Sequence, residues 1–90
     1  MVKVLILKND SKVLVSEIRE VGAEVGEPDC ELINPVEFRL GDEDWKDRLQ
    51  RWPGVLVTQD NKCMMSSDAI LTIVEPQQEL LEAYKEVIKG

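Results

Sequence analysis

The run Val4-Leu5-Ile6-Leu7 is apolar at four successive positions, so as a β-strand it turns apolar side chains to both of its faces. Val4 and Ile6 point one way, and Leu5 and Leu7 point the other. A small sheet or barrel needs only one face of a strand for its own interior, and the second face must be covered by a helix or by another subunit. A chain of 90 residues has room for a single modest core, so whatever covers that strand must lie close by. At four residues this is also the longest apolar run, far short of the roughly 20 needed to span a bilayer.

Residues 2–8 end at Asn9-Asp10-Ser11, strong turn chemistry because Asn and Asp tolerate left-handed backbone and bond their own main chain. The return arm, residues 12–21, starts with Val13-Leu14-Val15 and becomes charged towards its far end. Two glycines and Pro28 make residues 22–29 a turn. From Cys30 the chain alternates: Cys30, Leu32, Val36, Phe38 and Leu40 are read as facing one way, and Glu31, Glu37 and Arg39 the other. Pro35, placed on the outward side, implies a bend, a bulge or an unpaired neighbour.

The period changes over residues 41–54, where Trp45, Leu49 and Trp52 fall at i, i+4 and i+7. Acids crowd the start of this segment and Arg48 and Arg51 its end, which suits a helix dipole, and Pro53-Gly54 stops it. The expectation is a short inserted helix, with a structured loop as the alternative. Residues 55–58 and 63–65 read as strand material, Ser66-Ser67-Asp68 as a turn and residues 70–74 as a strand. Pro76 suits the first turn of a terminal helix, in which Leu80, Leu81, Tyr84, Val87 and Ile88 form one apolar stripe. The expected fold is mainly β: a strongly bent antiparallel barrel of about five strands, a single domain over residues 1–90, with a C-terminal α-helix. Closure removes the sheet edges that would otherwise aggregate.

Eleven Lys and Arg against eighteen Asp and Glu leave a net charge of −7, which repels phosphate polymers and anionic lipid surfaces. There is no histidine, so Ser-His and Cys-His nucleophile pairs and most zinc sites are excluded. Cys30 and Cys63 are read as free thiols of a reducing cytoplasm. The acidic group Asp42, Glu43, Asp44 and Asp47 lacks the oxygen ligand and the glycine that a calcium loop needs at its fifth and sixth positions, and reads as a solvated helix start. Cys63-Met64-Met65 reads as core or interface rather than a soft-metal site. Ser66 and Ser67 have no basic partner in the sequence to activate them. No enzyme activity, metal or cofactor is expected.

Val4-Leu5-Ile6-Leu7-Lys8-Asn9-Asp10, running into Lys12-Val13-Leu14-Val15-Ser16-Glu17-Ile18, resembles the first half of the first Sm motif. Met64-Met65-Ser66-Ser67-Asp68-Ala69-Ile70-Leu71-Thr72-Ile73 is similar to the second Sm motif: a short strand, a tight turn and a final strand. Taken whole, with Glu75-Pro76 and the terminal helix, the chain resembles short Sm-like proteins of marine tailed phages and marine metagenomes. The resemblance implies an Sm-like (SH3-type) barrel and a homo-oligomer formed by edge-strand pairing, with Met64, Met65, Ile70, Leu71 and Ile73 at the subunit interface. For a phage protein the compartment would be the host cytoplasm.

Familiar Sm proteins place their helix before the first strand, and RNA-reading members carry a cation where this chain has Ser66-Ser67. The leading expectation is therefore a non-enzymatic scaffold or adaptor. An RNA-binding ring of the bacterial Sm-type chaperone class stands second, disfavoured by the charge. Arg39, Trp45, Arg48, Arg51 and Trp52 are the candidate ligand or RNA surface, since aromatic and basic residues interleave there as they do in single-strand binders. The competing reading has the tryptophans anchoring the segment while the charges pair on its outer face. Neither DNA nor a membrane is an expected partner.

Overall fold

The computed structural model describes residues 1–8, 12–22, 24–38, 49–54 and 56–89. Six strands form one antiparallel sheet: β1 (Val2–Leu7), β2 (Val13–Glu20), β3 (Cys30–Phe38), β4 (Gln50–Arg51), β5 (Lys62–Met65) and β6 (Ile70–Val74). A 3₁₀ turn (Ser67–Ala69) joins β5 to β6, and helix α1 (Gln78–Lys89) ends the chain. The strand order is β4-β3-β2-β1-β6, with β5 also pairing β3. β5 pairs with the first half of β3, Cys30 opposite Met65 and Leu32 opposite Cys63, whereas β4 pairs with the second half, Val36 opposite Arg51.

This order bends the sheet. Laid flat, the four intervals between β5, β3, β2, β1 and β6 would hold β5 and β6 about 19 Å apart. The link between them contains a 3₁₀ turn and reaches only about 13 Å. The sheet curls until its two ends approach, and the result is a small barrel-like fold. Among the described residues β6 pairs only with β1 and β5 only with β3, so a seam remains between them.

The doubly apolar first strand is satisfied from both sides. On one face Val4, Val13, Val15, Val36, Leu49 and Tyr84 form a buried cluster, onto which Leu80, Leu81, Val87 and Ile88 of α1 pack. On the other, inside the curl, Leu5, Leu14, Leu32 and Met65 form a second cluster. The helix stripe expected from the 3.6-residue period is the stripe that docks. Leu81 N–H donates to the Gln77 carbonyl, so the helix opens there, and Pro76 precedes its first turn rather than occupying it.

Four further sequence expectations change. Leu32 and Val36 do not face the same way: the pairing of β2 with β3 shifts register between Val15↔Val36 and Glu17↔Ile33, and Asn34 sits in that bulge at φ 54°. One extra residue inverts the parity of the strand, sending Leu32 to one cluster and Val36 to the other. Pro35 is buried, not outward. Leu56 and Val57 lie in an exposed turn, where Gly54 at φ 118° supplies the left-handed bend, and not in a strand. Gln50 and Arg51 pair with β3 instead of continuing a helix. The rest of the proposed inserted helix, residues 41–48, lies outside the described residues, as does the turn at Asn9-Asp10-Ser11.

Candidate functional site

Besides Met1, Val25 and the turn residues Leu56 and Val57, the exposed large apolar residues lie on the two outer strands β5 and β6. On β6, Leu71 is 62% exposed, Ile73 46% and Val74 45%, and on β5 Met64 is 47% exposed. Leu71 is pushed out by a bulge, because β1 pairs Ile6 with Thr72 but Leu7 with Ile70, leaving Leu71 without an opposite residue. Beside β6 runs an open groove of about 350 Å³, lined by Ile18, Glu20, Cys30, Leu71 and Ile73 among others. It runs between β6 and the far end of β2 with the start of β3.

Of the expected interface residues, Met64, Leu71 and Ile73 are therefore accessible. Met65 is buried at 8% exposure in the second cluster and belongs to the core, whereas Ile70 is half-buried, packing against that cluster while also lining the groove. Parity explains Met65: it faces inward because it pairs with buried Cys30. Val74 joins the exposed set although its β-branched, apolar character gave no hint of exposure.

The expected ligand surface is divided. Arg51 Nη2 donates to the Ile88 carbonyl at 3.0 Å, placing a cation on the C-terminal end of α1, where free carbonyls concentrate negative charge. Trp52 is partly buried against the second cluster, and its N–H donates to the Pro35 carbonyl at 2.9 Å. Trp52 thus anchors its segment on the barrel, and Arg51 ties that segment to α1 instead of pairing with an acid on an outer face. Arg39, Trp45 and Arg48 lie outside the described residues.

The turn at Ser66-Ser67 is tied to the loop before β3. Asp29 accepts from Ser67 N–H through Oδ1 at 2.7 Å and from Ser67 Oγ through Oδ2 at 2.8 Å. These bonds hold the Asp29 carboxyl below its ordinary value, because they favour the ionised form. Glu24, Glu27 and Asp68 line the same hollow, so this end of the barrel is acidic. The Cys30 thiol is pushed up first by burial and then by the neighbouring Asp29 charge, and that of Cys63 by burial alone. Both are free. Among the described residues there is no group of three or more Cys, Asp or Glu that could hold a metal ion, and no helix long and apolar enough to cross a membrane.

A second hollow escaped the sequence reading. It is a pit of about 50 Å³ between the β3 bulge and residues 51–61, to which Asn34, Trp52, Asp60 and Asn61 contribute. Asn34 N–H donates to the Asn61 carbonyl at 2.6 Å and so joins its two sides. The one available signal was Asn34-Pro35, turn chemistry inside a strand pattern.

No curated protein matches the chain. A family model does match, over residues 1–89 and so almost the full length. The protein belongs to the family of unknown function DUF6561.

Proposed function

We propose that the protein is a non-enzymatic, Sm-like homo-oligomeric scaffold in which β5 of one copy pairs with β6 of the next. The observation that carries this is the pair of sheet ends left unpaired among the described residues, with exposed Met64 on one and exposed Leu71, Ile73 and Val74 on the other. An apolar strand with free main-chain donors and acceptors recruits another strand. Because the two edges differ, the contact is heterologous and generates a ring where the rotation closes or a filament where it does not. The β1–β2 hairpin and the β5–β6 turn coincide with the two segments that carry the Sm resemblance, which supports the same reading.

Chemistry at the available nucleophiles favours a scaffold over an enzyme. The thiols are pushed up by burial, and the Ser67 hydroxyl is committed to Asp29 in a protein without histidine. The scaffold reading carries with it weak association with single-stranded RNA, no tighter than about 10 μM at physiological salt. Arg51 is engaged on the helix end, and the turn beside Asp29 is acidic.

Light-scattering mass of the purified protein tests the proposal. A defined oligomer is expected, and the double variant Leu71→Lys/Ile73→Lys should be monomeric with its melting temperature little changed. A wild-type protein that stays monomeric at millimolar concentration overturns the scaffold. Nanomolar, uridine-selective RNA binding lost in Arg48→Ala or Arg51→Ala would replace it with the RNA-chaperone reading.

A further inference from the structure

The pit at the β3 bulge joins rigid walls to uncommitted polar groups. Pro35, Trp52 and Pro53 supply its apolar lining, and Pro35 and Trp52 are fastened to each other through the main chain. Asn34, Gln59 and Asn61 line the rest, and among the described residues none of their side-chain amides has a hydrogen-bond partner. Thr58 Oγ1 accepts from Asp60 N–H at 3.0 Å, which leaves its own hydrogen to donate. Asn34 is held at φ 54°, a left-handed conformation that asparagine tolerates, and the β3 bulge sets it at the wall of the pit.

The lining selects a ligand class. Arg51 and Asp60 border the pit with opposite charges that offset one another, and the chain as a whole carries −7, so an anionic ligand finds no net attraction here. A carboxamide offers donors and acceptors together, and a carboxylate only acceptors. Groups that both donate and accept without charge, as hydroxyls do, complement that mixture. A volume of about 50 Å³ accommodates roughly four water-sized groups. Two adjacent carbons with their two hydroxyls are four such groups, with a C–H surface to lie against the proline and tryptophan rings.

We propose that this pit binds the vicinal-diol edge of a neutral sugar, with Asn34, Asp60 and Asn61 as the hydrogen-bonding groups. The site is independent of the β5 and β6 edges and stands or falls apart from the scaffold reading.

The test is an amide-resolved NMR titration of the intact protein with the methyl glycosides of glucose, mannose and galactose. Uridine and inorganic phosphate serve as comparison arms. The expected result is saturable shifts at Asn34, Asp60, Asn61 and the Trp52 indole with at least one glycoside, at a Kd on the order of 1 mM. Asn34→Gly is the decisive variant, because glycine keeps the left-handed backbone while deleting the amide. It should weaken binding at least about tenfold with the melting temperature preserved. Absence of saturable shifts with all three glycosides up to about 50 mM overturns the proposal. So does preferential binding of uridine or phosphate, or glycoside binding unaltered in Asn34→Gly.

Discussion

The Tyr84 hydroxyl donates to the carbonyl of Ile33 at 3.3 Å, joining the terminal helix to the bulge of β3. Ser16 Oγ, fully buried, lies 3.1 Å from the same carbonyl and 2.8 Å from that of Glu17. The helix is therefore held by more than its apolar stripe, because its tyrosine reaches the point where strand parity reverses.

Tyr84→Phe should lower stability by about 1 kcal/mol in urea unfolding, the usual net worth of one hydrogen bond. Adding Ser16→Ala removes the second hydroxyl and should bring the total to about 1–3 kcal/mol. Burial is the leading cause that pushes the Tyr84 hydroxyl above its ordinary value of 10.0. The folded state thus holds that proton more tightly than the unfolded state. This contribution is complete below pH 10 and is lost as pH rises through the folded value. Denaturant midpoints measured upward from pH 9 should fall in the wild type, with a shallower fall in Tyr84→Phe.

Leu14 and Leu71 should respond in opposite ways to truncation. Leu14 is wholly buried between β1 and β3, so Leu14→Ala should cost about 2–5 kcal/mol through lost burial and the cavity left behind. Leu71 projects from a bulge, and Leu71→Ala measured on dilute monomer should stay within about 0.5 kcal/mol. Ending the chain after Pro76 uncovers Val4, Val15 and Val36, and should produce dye-binding, aggregating protein.

Asp29 should report on acidification. Its carboxyl is depressed mainly by the hydroxyl of Ser67 and then by the Ser67 N–H, so the tie between loop and turn holds above pH 3.8 and fails as pH falls through the folded value. The Ser67 amide should shift and exchange faster through that window, and Ser67→Ala should move the Asp29 titration back towards 3.8. An Asp29 titration unaffected by Ser67→Ala would show that the tie does not form in solution.

Both thiols should react slowly while the protein is folded. Cys30 is 5% exposed, and burial raises both thiols above the ordinary 9.0, which keeps the nucleophilic thiolate scarce. Labelling with a disulfide reagent at pH 8 should be much slower in native protein than in denaturant, with Cys63 modified before Cys30. Rapid native labelling of Cys30 would place β5 away from β3.

Sequence by itself determined the local elements: the strands around Val4, Val13 and Ile70, and the helix with its stripe from Leu80 to Ile88. Each rests on a repeat, 2 or 3.6 residues long, that a chain segment carries without reference to any other. It also determined that β1 needed cover on both faces, though not that α1 supplies the second. Tertiary structure decided the rest. The bulge at Asn34 arises from pairing with β2, and by inserting one residue it sends Leu32 and Val36 to different cores, which no alternation within β3 reveals. Register against Cys30 buried Met65, and docking on the curled sheet buried part of Ile70, whereas the open seam left Leu71 and Ile73 in solvent. Arg51, read from its spacing as a helical cation facing a ligand, pairs with β3 and caps α1 at Ile88, 37 residues away in the chain. A side chain's face follows from local period only while pairing stays regular, and its role follows from whatever distant segment the fold sets against it.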